Sequence, residues 1–330
     1  MTEQTVSSTG IIGLKERGDN RTYFNWNGLP IVHAESILGH FRRIGKFGET
    51  MGRRDVFRGI VEESVIYDLF RSDNSSMVEA AFPLSGNLWY LGMARNHESR
   101  KGLRPTEEMV MGVRENVRSF NSPTETIQKV LDEGHTFIEE ISPTDPREQI
   151  QLLELWGETF GWDKEQIGNL SRRFLTEDPN NRSVWFSGIK DSEGNLSAAA
   201  MAESIIFRGS NGEPIRIVES TEWRSKEADH IKAVVDHLHA QVLTDFPDAV
   251  IIAECNYHRG AHRAAQKSGM VTPDVFIYGR QVPQVLVQNV VVIDGNNPVG
   301  LRDFIVFTLP NDAISPEERL EILTLTGGLK

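Results

Sequence analysis

The sequence predicts an α/β protein in which a mixed, mostly antiparallel sheet is flanked by helices and preceded by a smaller α/β unit. Three observations support this prediction. From about residue 134 onward, strand-length apolar segments alternate with segments of helical period. Turn-rich stretches such as DSEGN and NGEP join three of these segments as hairpins. Before residue 134 the apolar segments are shorter and less regular, which indicates a second, smaller unit.

The first part of the chain divides into a leader and a small unit. Residues 1–22 are polar and lack apolar periodicity, so we predict a mobile leader. Residues 23–133 are predicted to form an N-terminal α/β unit, in which MVEAAFPL and NLWYLGMA are two strands around a turn at Gly86. This unit ends with a short helix over residues 124–133, and the second unit occupies residues 134–330.

The second unit alternates between strand and helix patterns in a defined order. The strand HTFIEEI leads to two helices, the first of which opens at Asp145-Pro146. That helix is predicted to place four apolar residues on one face, namely Ile150, Leu153, Trp156 and Phe160. Three antiparallel strands follow in SVWFSGIK, LSAAAMAESIIF and IRIVESTEW, and then a helix that ends near Asp245. The strand DAVIIAECN, a helix through Lys267 and the final strands within FIYGRQV and NVVVIDG to RDFIVFTL complete the unit.

The charge and the composition disfavour several classes of protein. The chain of 330 residues carries 35 Lys and Arg against 47 Asp and Glu, and its net charge of -12 opposes nucleic-acid binding. The one dense basic stretch, residues 40–58, is predicted to cover a local acidic surface. The start lacks a secretory signal, and no apolar run approaches the length that spans a membrane. The single cysteine, Cys255, suits a reducing, cytoplasmic location and permits neither an intramolecular disulfide nor a cysteine-based metal cluster.

The order of elements after residue 134, with ECN ending one strand and RGAHRAAQKSGM following it, resembles the GNAT superfamily of acyl-CoA N-acyltransferases. Within that superfamily the layout is most similar to the β-lysine N6-acetyltransferase family. The likeness rests on Glu219-Ser220-Thr221-Glu222, which matches that family's E-x-T-acidic pattern, and on LVQNVVVIDG with RDFIVFTL near the end. The upstream MVEAAFPLSGNLWYLGMAR resembles the N-terminal half of the same family.

The resemblance implies a GNAT fold and an enzyme that transfers an acetyl group from acetyl-CoA to a small-molecule amine, with a lysine-like amino acid as one candidate acceptor. It implies that acetyl-CoA lies between IRIVESTEW and DAVIIAECN, with its pyrophosphate at the helix start after Trp223, where free N–H groups and the helix dipole attract anions. The candidate cofactor-binding residues are Thr221, Arg224, Ser225, Lys226, Ala228, His230 and Asn256. The loop RSKEADHI has no glycine, and Glu227 and Asp229 add negative charge where the pyrophosphate is expected.

Acyl transfer to an amine requires a group that removes the proton of the ammonium form. The resemblance brings three carboxylates on adjacent strands near the acceptor: Glu219, Glu222 and Glu203. Each is either a site residue, acting as a base or binding the cationic acceptor, or a surface charge on a pleated strand. Glu219 and Glu222 point to opposite faces of a regular strand, although a β-bulge, common at this strand in the superfamily, changes that alternation.

Two tyrosines are candidate acids for the departing thiolate. The resemblance places the superfamily's usual tyrosine at Ala265, so Tyr278 and the nearby Tyr257 are the substitutes. Asn256, at the end of a predicted strand, either binds the cofactor arm or caps the helix that follows.

The remaining reactive side chains do not form a recognisable set. His258 and His262 are four residues apart, but no third ligand is indicated, so no metal site is predicted. The Cys255 thiolate is disfavoured by the neighbouring Glu254, which argues against a nucleophile. The glycine-free loop leaves a second hypothesis, a catalytically silent GNAT-fold protein that binds a ligand or a partner. The expected partner is a small-molecule amine, with neither nucleic acid nor membrane, and the sequence specifies no oligomeric state.

Overall fold

The computed structural model consists of two sheets with helices on their faces. It describes residues 15–17, 22–24, 28–48, 55–95, 122–176, 182–208, 212–227, 230–256, 261–288, 293–294, 297–298 and 302–328. The strands are β1 Lys15–Arg17, β2 Thr22–Phe24, β3 Asp55–Glu62, β4 Val78–Ser85, β5 Leu88–Arg95, β6 Thr136–Ile138, β7 Val184–Lys190, β8 Leu196–Arg208, β9 Pro214–Ser225, β10 Val250–Asn256, β11 Phe276–Ile277, β12 Arg280–Gln281, β13 Val285–Gln288, β14 Ile293–Asp294, β15 Asn297–Pro298 and β16 Arg302–Thr308. The helices are α1 Ala34–Gly48, α2 Glu63–Arg71, α3 Pro123–Asp132, α4 Pro146–Phe160, α5 Lys164–Thr176, α6 His230–Asp245, α7 Ala261–Lys267 and α8 Pro316–Thr326, with a short 3-10 helix over Asp73–Met77.

The N-terminal sheet contains five strands in the order β1-β2-β3-β5-β4. β2 and β3 run parallel, and the other neighbouring strands are antiparallel. The predicted hairpin of β4 and β5 is confirmed, with Gly86 in the left-handed region at φ 57°. The sequence pattern did not reveal α1, β3 or α2 as separate elements, because a short helix that follows a strand directly leaves no turn signal between them.

The second sheet contains seven strands in the order β13-β16-β10-β9-β8-β7-β6. Among its described neighbours, β9 and β10 form the one parallel pair. The predicted fold class, a mixed and mostly antiparallel sheet flanked by helices, is therefore confirmed. The predicted order is confirmed through helix α7 and for the final strand β16. The predicted strand FIYGRQV is instead the short hairpin β11–β12, which lies outside the seven-stranded sheet, and the edge strand beside β16 is β13.

Helices α3, α6 and α8 cover one face of the seven-stranded sheet. The central helix α6 is almost entirely buried, because it packs on β7, β8 and β9 while α3 and α8 pack on its other sides. Sheet residues of this core include Trp185 and Val218. Ile127 and Val130 of α3 belong to the same core, so α3 packs with the second unit although we assigned it to the first.

The opposite face of the seven-stranded sheet carries two layers side by side. Helices α4 and α5 pack on β7 and β8 at one end, through residues that include Trp156 and Phe186. The N-terminal sheet packs over the other end, where Ile217 of β9, Ile252 of β10 and Val306 of β16 join its core. The two units therefore share one apolar core.

Two of the contacts between the N-terminal sheet and the second unit involve residues 284 and 286. Gly92 of β5 lies directly against Leu286 of β13, since a Cβ atom at residue 92 would overlap the Leu286 side chain. Gln284 is fully buried and bonds to Ala81 of the edge strand β4. The Ala81 N–H donates to Gln284 Oε1 at 3.2 Å, and Gln284 Nε2 donates to the Ala81 carbonyl at 2.7 Å. The edge of one sheet is thus completed by a side chain of the other unit.

Three details differ from the sequence predictions. Ile150, predicted on the buried face of α4, is 50% exposed, while Leu152 and Leu155 are buried, so the buried stripe is rotated from the predicted one. Helix α8 was not predicted. β1 lies within residues 1–22, so the end of the predicted leader forms strand, and most of that leader lies outside the described residues. Within the described part of the chain, every helix is too short or too polar to cross a membrane.

Candidate active site

The parallel strands β9 and β10 part halfway along their length. They pair at three positions, which end with Ile252 opposite Glu219. Beyond that point β9 continues to Ser225 and β10 to Asn256, and no described strand pairs with β9 on that side. β9 remains bonded to β8 on its other side, and β10 remains bonded to β16. The parting leaves a cleft between the facing edges of β9 and β10.

A β-bulge interrupts β9 beside this cleft. Met201 of β8 pairs with Thr221 and Ala199 pairs with Arg224, so two residues of β9 lie opposite one residue of β8. Glu222 occupies the bulge at φ 56°, an uncommon conformation for glutamate, and is 7% exposed. The bulge that the sequence left open is therefore present, and strict alternation no longer separates Glu219 from Glu222.

The bulge is held by a hydrogen-bonded set on the side of α6. Ser220 and Trp223 face the same side although they are three positions apart, and Trp223 Nε1 donates to Ser220 Oγ at 3.0 Å. His239 of α6 also bonds Ser220 Oγ, through Nε2 at 3.0 Å. Burial lowers the pKa of His239 to about 3, so this imidazole is neutral at neutral pH. The bulge geometry thus rests on a buried polar network that is built from neutral groups.

A buried set of three polar side chains lies on the opposite side of the parting strands. Arg58 of β3 forms an ion pair with Glu254 of β10, with side-chain exposures of 8% and 6%. The Tyr90 hydroxyl of β5 donates to the other Glu254 oxygen at 2.5 Å. Burial raises the pKa of Tyr90, opposed by Arg58 and assisted by the charge of Glu219, so the phenol stays protonated as a donor. The N-terminal unit therefore supplies two of the three side chains.

Carboxylates form a row across β8, β9 and β10. Glu203 of β8 pairs directly with Glu219 of β9, and Glu254 follows two residues after the partner of Glu219 on β10. Glu203 is at the exposed end of this row, where Arg173 of α5 donates to it at 2.6 Å. Glu219 is partly buried, and Glu254 is at the buried end. Three carboxylates on adjacent strands thus concentrate acidic groups beside the cleft, which favours a cation there.

Several backbone N–H groups of the loop between β9 and α6 are hydrogen-bonded within the chain. The Lys226 N–H donates to the Ser197 carbonyl at 2.8 Å, and the Glu227 N–H donates to Ser225 Oγ at 3.0 Å. The His230 N–H donates to the Glu227 carbonyl at 3.2 Å. These three N–H groups are not free for a phosphate, contrary to the expectation of an open helix start.

The candidate cofactor-binding residues differ in their exposure to solvent. Arg224 and Lys226 are exposed, and Thr221 and Ser225 are partly buried. The side chain of His230 is 1% exposed and lies beside the carboxylates of Glu133 and Glu227. Ala228 and the side chain of Asn256 lie outside the described residues.

The structure does not bring Tyr278 to the carboxylate row. It occupies the turn between β11 and β12 and is 57% exposed. Its hydroxyl accepts from Arg71 Nε at 2.9 Å, and its ring contacts Tyr67 at 5.7 Å between centroids. These contacts bind it to α2, whereas Tyr90 is the tyrosine that adjoins Glu254. Tyr257 lies outside the described residues.

Cys255 and the histidines take no part in the carboxylate row. Cys255 is 3% exposed in the core beneath α6, and burial raises the pKa of its thiol. Burial, and not the charge of Glu254, raises this pKa, because the adjacent residues Glu254 and Cys255 point to opposite faces of the strand. His262 is 9% exposed on α7, and its predicted neighbour His258 lies outside the described residues.

Sequence reasoning missed Arg58, Tyr90 and Glu254 as site residues. One signal existed for Arg58, since we predicted that the basic stretch covers a local acidic surface, and Glu254 is its partner. Glu254 itself stood out as a carboxylate within the apolar strand DAVIIAECN. Buried charges inside apolar strands are rare unless they are paired.

No protein-family model and no curated protein sequence matches this chain. Solved structures do match. One is NAA60 from Arabidopsis thaliana in complex with acetyl-CoA, at 12% identity and a TM-score of 0.37, covering 53% of this chain and 97% of that one. Another is a variant of the SpeG spermidine N-acetyltransferase from Vibrio cholerae, at 10% identity and a TM-score of 0.33, covering 54% and 94%.

A third match is glucosamine-6-phosphate N-acetyltransferase from Arabidopsis thaliana, at 15% identity and a TM-score of 0.31, covering 43% of this chain and 95% of that one. At these identities and TM-scores the likenesses transfer neither an activity nor a residue role to this chain.

Proposed function

We propose that the chain is an acyl-CoA-dependent N-acyltransferase that moves an acetyl group from acetyl-CoA to the amine of a small molecule. The observation that carries this proposal is the parting of β9 from β10 beside a row of carboxylates. A free strand edge suits the thioester donor, and the carboxylates suit an amine. The resemblance of the element order to the GNAT superfamily supports the same function.

The free edge of β9 suits the pantetheine arm of acetyl-CoA. The amide groups of that arm can pair with backbone groups of β9, as an added strand would. The exposed side chains of Arg224 and Lys226 at the end of β9 suit the phosphates of the coenzyme. Side chains carry this contact in the proposal, because much of the loop backbone is already hydrogen-bonded within the chain.

The carboxylate row suits the chemistry of the acceptor. In the proposed reaction Glu219 takes a proton from the ammonium form of the acceptor, directly or through water. The neutral nitrogen attacks the thioester carbonyl carbon, a C–N bond forms, the C–S bond breaks and CoA departs as a thiolate. The thiolate takes up the second nitrogen proton, and the first proton passes from Glu219 to water. Glu254 forms an ion pair with Arg58 at the buried end of the row.

The acceptor class that we propose is a cationic amine, with a lysine-like amino acid as one member. The row of three carboxylates beside the cleft favours a substrate with a positive charge. The similarity of the stretch Glu219-Ser220-Thr221-Glu222 to the β-lysine N6-acetyltransferase family supports this class.

A thioester-consumption screen tests the proposal. The full chain is incubated with acetyl-CoA and a panel of diamines, amino acids and aminoacyl compounds, and the product is identified by mass spectrometry. We expect CoA release that depends on a cationic amine and is lost in Glu219→Gln. Glu213→Gln, which removes an exposed carboxylate just before β9, is the matched control and should retain activity. No turnover with any acceptor would overturn the proposal.

A second candidate function is a catalytically silent GNAT-fold protein that binds a ligand or a partner. The observation that favours it is the closed loop, in which Lys226, Glu227 and His230 use their N–H groups within the chain. Calorimetry with CoA separates the two candidates. Binding of CoA supports the transferase, and an absence of binding supports the silent protein.

A further inference from the structure

A compact set of potential metal ligands lies at the start of α6. Glu133 follows α3, His135 precedes β6, and His230 is the first residue of α6. One ligand atom from each of the three lies within 4.8 Å of the others. Glu227, in the loop before α6, has a carboxylate oxygen 3.4 Å from His230 Nε2. The set thus joins two segments that are distant in sequence, residues 133–135 and 227–230.

The spacing of these atoms suits a tetrahedral metal ion. Ligand atoms about 2.0–2.1 Å from a tetrahedral Zn²⁺ are separated from one another by about 3.3–3.4 Å. The distance from His230 Nε2 to Glu227 Oε2 is 3.4 Å, and to Glu133 Oε2 it is 3.7 Å. The rings of His135 and His230 are 4.6 Å apart between centroids at 78°. The ligand atoms of Glu133, His135 and His230 all lie within 4.8 Å of one another, close enough for side-chain rotation to place them around one centre.

Three of the four imidazole nitrogens are buried without a hydrogen-bond partner among the described residues. His230 is 1% exposed, and neither its Nε2 nor either nitrogen of His135 has a hydrogen-bond partner in the described part of the chain. The other nitrogen of His230, Nδ1, is 3.3 Å from Ser197 Oγ. A hydrogen bond on one ring nitrogen fixes the orientation of the other toward a metal. Buried polar atoms left without partners at this point indicate a ligand.

We propose that Glu133, His135 and His230 bind a divalent transition-metal ion, for which Zn²⁺ is the best match, with Glu227 as the fourth ligand. Two imidazoles and two carboxylates are ligands that Zn²⁺ accepts. The two carboxylates neutralise the ion, which offsets the unfavourable position of a cation at a helix start. The metal fixes the turn between α3 and β6 to the loop that precedes α6. This site is independent of the proposed transfer reaction.

Zinc binding by the full chain, after treatment with a chelator and dialysis, tests the site. We expect isothermal calorimetry to give one Zn²⁺ per chain, and Co²⁺ to give the visible absorption of a tetrahedral site. Glu133→Gln and His230→Asn should each weaken Zn²⁺ binding by at least about 100-fold, since even outer-shell partners of metal ligands are worth 10–100-fold. Glu133 is half exposed, so Glu133→Gln keeps the test valid if His230→Asn fails to fold.

Two matched controls accompany the variants. Asp132→Asn makes the same charge change one residue away from Glu133, and His33→Gln removes an exposed histidine outside the set. Both should bind Zn²⁺ as the unaltered chain does. The proposal is overturned if the unaltered chain binds no Zn²⁺, or if Glu133→Gln binds it as tightly as Asp132→Asn.

Discussion

Tyr90 of the N-terminal sheet donates a hydrogen bond of 2.5 Å to Glu254 of the seven-stranded sheet. Arg58, also from the N-terminal sheet, contacts the other oxygen of the same carboxylate. All three side chains are buried, so these bonds form where the dielectric is low and their strength is greatest. The N-terminal unit is therefore part of the candidate site and orients a carboxylate that the other sheet carries.

Replacement of Tyr90 by phenylalanine tests that bond. Tyr90→Phe keeps the ring and removes the hydroxyl, which leaves one buried Glu254 oxygen without its donor. The free energy of unfolding should fall by about 1–3 kcal/mol in urea denaturation. Tyr67→Phe is the control, because its hydroxyl donates at 3.2 Å to a partly buried Glu63, and its loss should stay below about 1 kcal/mol. Equal losses would contradict a special role for Tyr90.

The contact between Gly92 and Leu286 predicts that the junction of the two units tolerates no side chain at residue 92. Gly92→Ala forces a methyl group into Leu286, and overpacking of this kind costs about 1–3 kcal/mol. The loss should shrink when Leu286→Ala is present, which a double-mutant cycle measures. Gly168→Ala in α5, with no atom within 4 Å of the added methyl, is the control and should not destabilise the chain. Independent effects of Gly92→Ala and Leu286→Ala would exclude the contact as the cause.

Glu219→Gln separates two roles for this carboxylate in the proposed reaction. If Glu219 accepts the ammonium proton, kcat should fall by about a hundredfold or more at neutral pH and recover in part at high pH. The measurement is steady-state kinetics with the acceptor found in the screen. A rise in KM for the acceptor with kcat unchanged would assign Glu219 to ammonium binding instead. Unchanged kinetics would leave it a structural charge and direct attention to Glu203 and Glu222.

Buried histidines on α6 predict that stability falls in mild acid. Burial lowers the pKa of His237 and of His239 to about 3, whereas an unfolded histidine titrates near 6.5. Below about pH 6.5 the unfolded chain takes up protons that these two residues cannot hold in the native state, so the free energy of unfolding falls by about 1.4 kcal/mol per pH unit for each.

Asp236, on the same helix, changes the free energy of unfolding in the opposite direction as the pH falls. Burial raises its pKa to about 6, so between about pH 6 and pH 4 the native state keeps a proton that the unfolded chain has lost, and acidification stabilises the native state. Urea denaturation between about pH 7 and pH 5 measures the sum. His237→Gln should reduce the change of the unfolding free energy with pH by the contribution of one histidine. His33→Gln, at an exposed position, should leave that change as it is in the unaltered chain. An unchanged slope in His237→Gln would contradict the assignment.

Much of the second unit could be predicted from local pattern. Helix α6 follows from apolar residues at three- and four-residue spacing, and the hairpin of β7 and β8 follows from the turn DSEGN between two apolar segments. These signals lie within one element or one turn. The bulge at Glu222 could be expected only through the resemblance, because the residues around it fit a regular strand equally well.

The polar sets could not be predicted, because their members are far apart in the chain. Arg58 and Glu254 are separated by 196 positions, and Tyr90 and Glu254 by 164. No local period records which face of the N-terminal sheet will cover which strand of the second sheet. The same holds for His135 and His230, whose neighbourhood depends on the packing of β6 beside α6. Tyr278 illustrates the converse error, since closeness in sequence to the predicted site did not bring it there.

The Gln284 amide bonded to both backbone groups of Ala81 acts as one residue of an additional strand on β4. An edge strand with free N–H and C=O groups is a template for pairing with another chain, and proteins cover such edges to avoid aggregation. β4 lies at the edge of its sheet and is largely buried and apolar. An N-terminal unit produced without the rest of the chain would therefore expose β4 as an apolar, aggregation-prone edge strand. Its solubility depends on Gln284, which is synthesised later and covers that edge.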